Sequence, residues 1–391
     1  MRKKQHELLT KLLADLSQFG KNEPGKGTTR LAYSDADNAA SNYIIDQMRL
    51  SGLTVRTDAA GNIIGRLAGK KEAAGAVACG SHLDTVPQGG QYDGVVGVIA
   101  ALAAVNNLQA KGPLTHPLEM IVFRSEESSR FRFATLGSKI MAGKAPQDLL
   151  NIKDQEGISF AAALEKSGYN PEELSGAIRK NEEFKAFLEV HIEQGRILEE
   201  GKLSIGVVEN IAAPTRLKVK ITGTADHSGA TPMHLRKDAL TAAAKLVLAV
   251  EKIVTKHSLD GTVGTVGMLT VEPGVMNVVP GLVNFGVDIR GVNYENITHV
   301  VQRFKDEALR VSKNRNIAIE VELLTSDKPV PLDNKIISLL EKTCQKYSLP
   351  YRKMNSGAGH DAMIMAELTP TGMIFIPCQK GISHNPEEYA S

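Results

Sequence analysis

The feature that most constrains the fold is a series of short apolar runs set between helical patterns. The runs are Ala76–Cys79, Leu118–Phe123, Phe187–Ile192 and Met373–Ile376, and residues 95–108 between the first two are rich in Val and Ala over the length of a helix. Short apolar runs that alternate with helices are typical of parallel strands covered by helices on both faces. The sequence therefore predicts an α/β domain with a mostly parallel sheet.

The middle of the chain has a different pattern. Leu217, Val219 and Ile221 alternate with lysines, which is the period of a half-buried strand. The segments that follow are predicted as a helix at 236–257, strands at 262–271 and 277–290, a helix at 295–313 and a strand at 317–324. This βαββαβ order defines the ferredoxin-like unit. With Pro214 and Pro329 at its ends, we predict an α+β insert at 214–328 within an α/β domain formed by 1–213 and 329–391.

Composition excludes several classes of protein. The chain has 391 residues, 42% of them apolar and 23% charged, with a net charge of +2, so it lacks the basic character of a nucleic-acid-binding protein. The N-terminal leucines recur at helical spacing among polar residues and no run is long enough for a bilayer, which predicts a cytoplasmic protein. The three cysteines, Cys79, Cys344 and Cys378, are widely spaced and are expected to be buried thiols.

Potential ligands lie near the end of each of the four apolar runs or shortly after it. These residues are His82, Asp93, Glu126, Glu127, His191 and His384. Taken singly, each is more often an ordinary loop or core residue than a metal ligand. Because the carboxyl ends of parallel strands meet at one edge of a sheet, however, the sequence predicts that the six side chains converge on one site.

The residue types indicate a metal centre. Three imidazoles and two carboxylates without a thiolate suit Zn, Mn, Co or Ni, and the ligand types do not distinguish these metals. Asp93, preceded by glycines, is the best candidate for a carboxylate that bridges two ions, and Asp84 is expected to accept the other ring N–H of His82. Paired metals lower the pKa of a water molecule and polarise a carbonyl, and a free carboxylate then moves the proton. Glu126 and Glu127 can divide the tasks of base and ligand.

A second feature of interest precedes a predicted helix near the C-terminus. The backbone N–H groups of Gly357 and Ala358, within Ser356–Gly359, are candidates for binding an anion. The alternative is an ordinary turn at the start of a helix.

Nine motifs resemble one known family. The sequence is similar to the M20-type metallopeptidases and amidohydrolases, specifically to their branch of N-carbamoyl-L-amino acid hydrolases and allantoate amidohydrolases. The resemblance covers nearly the whole chain and rests on Gly80–Val86, Gly89–Gly94, Glu126–Phe131, His191–Gly195, Asp226–Met233, Asn277–Pro280, Asp288–Arg290, Ser356–Asp361 and Gly381–Pro386. The sequence departs from the family in Ser125-Glu126-Glu127-Ser128, where Glu-Glu-Glu-Gly is usual, and in the short segment after His384, where the family normally adds a helix.

The resemblance implies a role for each site residue. One ion of a divalent pair in each subunit would be held by His82, Asp93 and His191, and the other by Asp93, Glu127 and His384. Glu126 would be the general base for a hydroxide that bridges the metals. The insert would be a lid and dimerisation domain of a homodimer, with His227 reaching the partner's active site to stabilise the oxyanion. The substrate would be held by Gln194, Asn277 and Arg290.

The resemblance also implies the reaction, which is metal-dependent hydrolysis of a C–N bond in a linear amide or ureido compound. N-carbamoyl-L-amino acids and allantoate are the expected substrates, because both combine a ureido group with a carboxylate. The alternative is an M20-type dipeptidase or an N-acyl amino acid hydrolase. A catalytically silent binding protein is disfavoured because all five ligands and Glu126 are present. Dehydrogenase and serine hydrolase chemistry are disfavoured because neither GxGxxG nor GxSxG occurs in a suitable context.

Overall fold

The chain divides into two compact units. The computed structural model describes residues 2–23, 25–257 and 261–390. The first unit consists of Met1–Glu209 with Leu332–Ser391, and the second unit of Asn210–Pro331.

The described part of the chain contains both α-helices and β-strands. The helices are α1 (Arg2–Leu16), α2 (Asp35–Leu50), α3 (Val95–Gln109), α4 (Leu136–Met141), α5 (Phe160–Lys166), α6 (Ile197–Glu200), α7 (Ala239–His257), α8 (Tyr294–Arg315), α9 (Asn334–Lys346) and α10 (Asp361–Met365). The strands are β1 (Thr54–Thr57), β2 (Ile63–Leu67), β3 (Ala76–His82), β4 (Leu118–Phe123), β5 (Phe184–Ile192), β6 (Ile205–Ile211), β7 (Ala213–Thr222), β8 (Asp226–His227), β9 (Val263–Glu272), β10 (Val278–Val279), β11 (Leu282–Gly291), β12 (Ala318–Ser326), β13 (Val330–Pro331), β14 (Tyr351–Ser356) and β15 (Thr371–Ile376).

The main sheet has a parallel centre. Its strand order is β1-β2-β4-β3-β5-β15-β6-β13, with β14 paired to β6. Strand β3 pairs in parallel with β4 and β5, and β5 pairs in parallel with β15. Every residue of β4 is buried, as expected for a strand covered on both faces. The predicted α/β fold with a mostly parallel central sheet is confirmed. The strands β1, β2, β6 and β13 pair in antiparallel fashion and form the two edges of this sheet.

The second unit is an antiparallel sheet with two helices packed on it. The strand order is β12-β7-β11-β9, and alternate residues of β7 are buried. Leu217, Val219 and Ile221 of β7 share a hydrophobic core with side chains of α7 and α8. This is the predicted βαββαβ arrangement. The predicted strand 277–290 is divided into β10 and β11, because Pro280 between them has no N–H to donate to a ladder.

Side-chain caps decide where two helices begin. The hydroxyl of Ser34 accepts a hydrogen bond from the N–H of Asp37 and so caps the start of α2. The predicted helix at 236–257 begins later, at Ala239, because the Asp238 carboxylate accepts from the N–H of Thr241 and so caps it there.

Two further predictions concern apolar segments and cysteines. Among the helices of the described part of the chain, none combines the length and the apolar character needed to cross a membrane. All three cysteines are free thiols, and Cys344 and Cys378 are buried.

Candidate active site

The ends of four adjacent parallel strands bring the predicted ligands together. His82 is the last residue of β3, His191 lies next to the end of β5, and Glu126 and Glu127 follow β4 by a few residues. His384 follows β15, which pairs with β5. The convergence predicted from the sequence is therefore present at the carboxyl edge of the sheet.

The side chains form two groups that share one carboxylate. His82, Asp93 and His191 form the first group, and Asp93, Glu127 and His384 the second; within each group the potential ligand atoms lie within 4.8 Å of one another. Asp93 Oδ1 is 3.0 Å from His191 Nε2 and 3.8 Å from His82 Nε2. Asp93 Oδ2 is 3.1 Å from His384 Nε2. The two oxygens of Asp93 thus face different groups, as a bridging carboxylate requires.

Unusual backbone conformations present these side chains. Gly94 has a φ of 67°, and a Cβ at this position would lie 2.4 Å from the His82 ring. Only glycine therefore lets the chain turn into α3 while Asp93 stays beside His82. Ser125, Gln194 and His384 are non-glycine residues with φ values of 57°, 56° and 55°. Left-handed residues of this kind are uncommon and concentrate at functional sites.

Backbone carbonyls orient the histidines of the first group. His82 Nδ1 is 3.0 Å from the carbonyl oxygen of Asp84, and His191 Nδ1 is 3.0 Å from that of Ile192. These contacts place the proton on Nδ1 and leave each Nε2 directed toward Asp93.

The role predicted for the Asp84 carboxylate is corrected by this geometry. Its nearer oxygen is 3.6 Å from His82 Nδ1, farther than the carbonyl oxygen of the same residue. The two carboxylate oxygens instead accept from the N–H groups of Glu126 at 3.1 Å and Glu127 at 2.9 Å. The turn that carries the two glutamates supplies two well-placed peptide donors, and Asp84 therefore orients that turn rather than the His82 ring.

Glu126 lies beside the first group as a buried carboxylate. Its Oε2 is 3.7 Å from His82 Nε2, and the residue is 7% exposed. Burial, followed by the nearby charge of Glu127, raises the pKa of Glu126 well above its usual value. A carboxylate with a raised pKa holds a proton more readily, which is the property that a general base needs.

Opposite charges dominate the electrostatics of the two groups. Burial alone would lower the pKa of His191, but the charge of Asp93 and the hydrogen bond to it raise that pKa to about 9. Hydrogen bonds to Asp93 and Glu127 raise the pKa of His384 to about 10, although this side chain is 49% exposed. Burial lowers the pKa of His82. The carboxylates thus attract positive charge, and a set of imidazoles and carboxylates fits a borderline divalent cation.

Gln194 also belongs to this cluster. Its Nε2 donates to Asp93 Oδ2 at 2.9 Å and to Ser383 Oγ at 3.2 Å. Its Oε1 is buried and has no hydrogen-bond partner in the described structure. An unsatisfied buried acceptor beside the candidate metal ligands is suited to a bound molecule that brings a donor.

The predicted anion-binding turn lies at the end of β14. Gly357 is exposed and Ala358 half-buried. The N–H of Ala358 donates to the hydroxyl of Ser356 at 3.2 Å, so this predicted backbone donor is already engaged.

In the second unit, the structure brings His227 and Asn277 together. Strands β8 and β10 pair so that His227 lies opposite Val278, and the N–H of Ser228 donates to the Asn277 carbonyl at 3.0 Å. Both residues are exposed. His227 Nδ1 accepts from the N–H groups of Gly229 at 3.1 Å and Ala230 at 3.2 Å. This fixes the tautomer that carries its proton on Nε2, where it is available as a donor.

Arg290 lies on β11 and contacts an acidic neighbour. Its Nη2 is 3.1 Å from Asp288 Oδ2, and Arg216 Nε is 3.6 Å from the same oxygen. Two guanidinium groups therefore contact one carboxylate on this sheet of the second unit.

Two residues of the site were missed in the sequence. His360 is buried with its ring centroid 4.5 Å from that of His191, and Glu388 accepts hydrogen bonds from the N–H groups of Tyr92 and Asp93. His360 belongs to the motif Ser356–Asp361, and Glu388 follows His384 by four residues. The only signal available in the sequence was that His360 lies within one of the nine motifs and that Glu388 lies two residues beyond the motif Gly381–Pro386.

Comparison with known proteins identifies the family. Residues 78–391 match the model of peptidase family M20/M25/M40, and the chain belongs to that family. The membership predicted from the motifs is confirmed, and the metal dependence of this family fits the two groups of ligands.

Named relatives cover nearly the whole chain. A ureidoglycolate hydrolase of Oryza sativa subsp. japonica is 43% identical, over 98% of this chain and 80% of its own. An N-carbamoyl-L-amino acid amidohydrolase of Geobacillus stearothermophilus is 40% identical, over 99% and 94%. An allantoate amidohydrolase of Escherichia coli is 38% identical, over 95% and 90%. These relatives confirm the predicted class of enzyme, a hydrolase of C–N bonds in linear amides.

A solved structure supports the fold. The crystal structure of an amidase of the hydantoinase/carbamoylase family from Burkholderia multivorans is similar to this chain with a TM-score of 0.90 and 34% identity, over 98% of this chain and 92% of that one.

Proposed function

We propose that the protein hydrolyses a ureido C–N bond in a small molecule that also carries a carboxylate, with N-carbamoyl-L-amino acids and allantoate as the expected substrates. The observation that carries this proposal is Asp93, whose two oxygens face two separate groups of ligands, with the free carboxylate of Glu126 beside them. The substrates in the names of the relatives support it, since N-carbamoyl amino acids, allantoate and ureidoglycolate all bear a ureido group and a carboxylate on one carbon.

Two divalent ions in each subunit are part of the proposal. His82, Asp93 and His191 would hold one, and Asp93, Glu127 and His384 the other. Such a pair, when bound, lowers the pKa of water and polarises the carbonyl that is attacked. The donor set accommodates Zn, Mn, Co or Ni.

Glu126 is the proposed general base. It accepts a proton from the attacking water, whose oxygen forms a bond to the carbamoyl carbon, and it returns the proton to the departing nitrogen as the C–N bond breaks. The products are ammonia and a carbamate, which loses carbon dioxide. Burial of Glu126 supports this role because it makes the carboxylate more basic. Asp84 holds the backbone of the turn that carries Glu126.

Residues of both units are the proposed substrate-binding groups. Arg290 can hold a carboxylate through two parallel hydrogen bonds, and Asn277 would bind beside it. Gln194 offers an unsatisfied acceptor for a ureido N–H, and Gly357 and Ala358 are the remaining candidates. His227 carries a proton on Nε2 that could stabilise an oxyanion.

We also propose a homodimer with the second unit as lid and dimerisation domain, in which His227 of the partner subunit serves each site.

The second candidate is a dipeptidase or an N-acyl amino acid hydrolase. The name of the matching family, which is a peptidase family, favours it. These reactions need the same metal pair and base, so they differ from the first proposal only in the group attached to the scissile carbonyl.

A substrate panel separates the candidates. Purified protein loaded with Mn, Co, Ni or Zn would be assayed with N-carbamoyl-L-amino acids, allantoate, ureidoglycolate, dipeptides and N-acyl amino acids. We expect ammonia release from a ureido carboxylate to have the highest kcat/KM, and chelation to abolish it. A higher kcat/KM for a dipeptide or an N-acyl amino acid would replace the proposed substrate class with the second candidate.

A further inference from the structure

A glutamate near the end of the chain holds the loop that carries Asp93. Glu388 is 5% exposed, and its Oε1 accepts from the N–H groups of Tyr92 at 2.8 Å and Asp93 at 3.0 Å. Its Oε2 accepts from the hydroxyl of Ser383 at 3.0 Å. One buried carboxylate thus satisfies two peptide donors of the Asp93 loop and one donor of the loop that precedes His384.

Ser383 connects this carboxylate to the candidate bridge. Its Oγ is also 3.1 Å from Asp93 Oδ2, the oxygen that faces His384. Glu388 therefore contacts Asp93 through the backbone, and the hydroxyl of Ser383, which has one proton to donate, lies within hydrogen-bond distance of both carboxylates. The contacts join two segments that lie far apart in the sequence and that each carry a candidate ligand.

The surroundings of Glu388 are shaped to receive it. A Cβ on Gly90 would lie 2.1 Å from Glu388 Oε1, so only glycine leaves room for the carboxylate. The ring of Tyr389 packs edge-on against Tyr92, with the centroids 5.5 Å apart. The carbonyl of Tyr389 accepts from the N–H of Gln379 at 2.8 Å, which fixes the segment to the first unit.

We propose that Glu388 is a positioning residue that fixes Asp93 so that its two oxygens reach two metal ions at once. This inference rests on the metal centre of the proposed function. Its physical basis is that a carboxylate can bridge two ions only if its backbone is held, because rotation or displacement of Asp93 would turn both oxygens to one side. Loss of groups that orient metal ligands typically lowers metal affinity by about 10- to 100-fold.

The chain offers a matched control in Asp58. This residue is 7% exposed, and its Oδ1 accepts from the N–H groups of Ala60 at 3.0 Å and Asn62 at 2.9 Å. Its Oδ2 accepts from Asn62 Nδ2 at 2.9 Å. Asp58 thus makes the same kinds of bonds as Glu388 to two peptide donors and one side chain, but it contacts none of the candidate ligands.

The experiment is a titration of the metal-free full-length variants with Co²⁺, followed by the visible absorption of the bound ion and by competition with a chelator. For Glu388→Ala we expect affinity at one or both ions to fall by about 10- to 100-fold and the absorption spectrum to change. Glu388→Gln should restore most of the affinity, since its amide oxygen can accept both peptide N–H groups. Asp58→Ala should unfold at a lower temperature while keeping wild-type affinity and spectrum.

The proposal is overturned if Glu388→Ala binds Co²⁺ as tightly as Asp58→Ala does, with the wild-type spectrum. Should Glu388→Ala fail to fold, Glu388→Asp replaces it, because the shorter side chain keeps the charge but withdraws from the peptide donors. Wild-type affinity and spectrum in Glu388→Asp would then overturn the proposal. A wild-type protein that binds no Co²⁺ would instead refute the metal centre itself, so the two failures are distinguishable.

Discussion

The two units hold their candidate site residues in opposite ways. In the first unit, His82, Asp93 and His191 are at most 5% exposed and contact one another. In the second unit, His227 and Asn277 are exposed. A buried set of oppositely charged side chains holds its arrangement before any ligand binds. Exposed donors on a small antiparallel sheet act only once a ligand is bound to them.

The two units also differ in how the charges of their candidate site residues are paired. The carboxylate of Asp93 lies between the imidazoles of His191 and His384, so removing it should disrupt both groups of candidate ligands. Arg290 and Arg216 share one carboxylate, Asp288, so removing Arg290 should weaken binding and leave the first unit unchanged. Substitutions in the two units should therefore separate the assembly of the metal centre from the affinity for substrate.

The largest effect is expected for Asp93→Ala, which removes the one residue common to both groups. Both ions should be lost, and kcat/KM should fall by more than the roughly 10⁴-fold upper range for loss of a general base. Metal content by atomic emission and hydrolysis of the best substrate are the measurements. His384→Ala is the control, since it affects only the second group. Equal metal content in wild type and Asp93→Ala would contradict the shared bridge.

Glu126→Gln should leave the metal centre intact and stop proton transfer. We expect kcat to fall by about 10²- to 10⁴-fold with unchanged metal content. Glu127→Gln is the matched control, because the adjacent residue is a candidate ligand and its loss should reduce metal content. Wild-type kcat in Glu126→Gln would assign the base to another residue.

Arg290→Ala tests the second unit. Loss of one hydrogen bond between a guanidinium and a carboxylate, worth about 1.5–3 kcal/mol, is enough to raise KM by about 10- to 100-fold, and metal content should be unchanged. Arg290→Lys should recover only part of this effect, because an ammonium cannot form two parallel bonds. Arg216→Ala serves as the control for charge. An effect of Arg290→Ala on kcat alone, with unchanged KM, would contradict a role in substrate binding.

The smallest effect concerns pH. In the metal-free protein, the pKa values of His191 and His384 are raised to about 9 and about 10, above the roughly 6.5 of an unfolded histidine. Their contribution to stability is therefore fully present below about pH 6.5 and is lost as the pH rises through 9 and 10. The melting temperature of chelator-treated protein should fall over this range. A flat profile would contradict these ion pairs.

The comparison also explains how much of the structure was predictable. The ligands at the ends of β3, β4 and β5 were predictable because parallel strands place their carboxyl ends at one edge. The sequence could not predict whether the carbonyl or the carboxylate of Asp84 contacts His82 Nδ1. Both groups belong to the same residue, two positions after His82, and their distances to Nδ1 differ by less than 1 Å. Glu388 was not predictable as a partner of Asp93, because that contact depends on the path of loops across most of the chain.

The order of the candidate ligands along the chain has a consequence for biosynthesis. His82, Asp93, Glu127 and His191 precede the second unit, and His384 follows it. A nascent chain therefore completes the whole second unit while the centre still lacks His384 and the strand β15 that precedes it. Tight binding of a metal pair would then require synthesis to have passed His384, and resistance to proteolysis conferred by metal should be absent from translation products that stop before that residue.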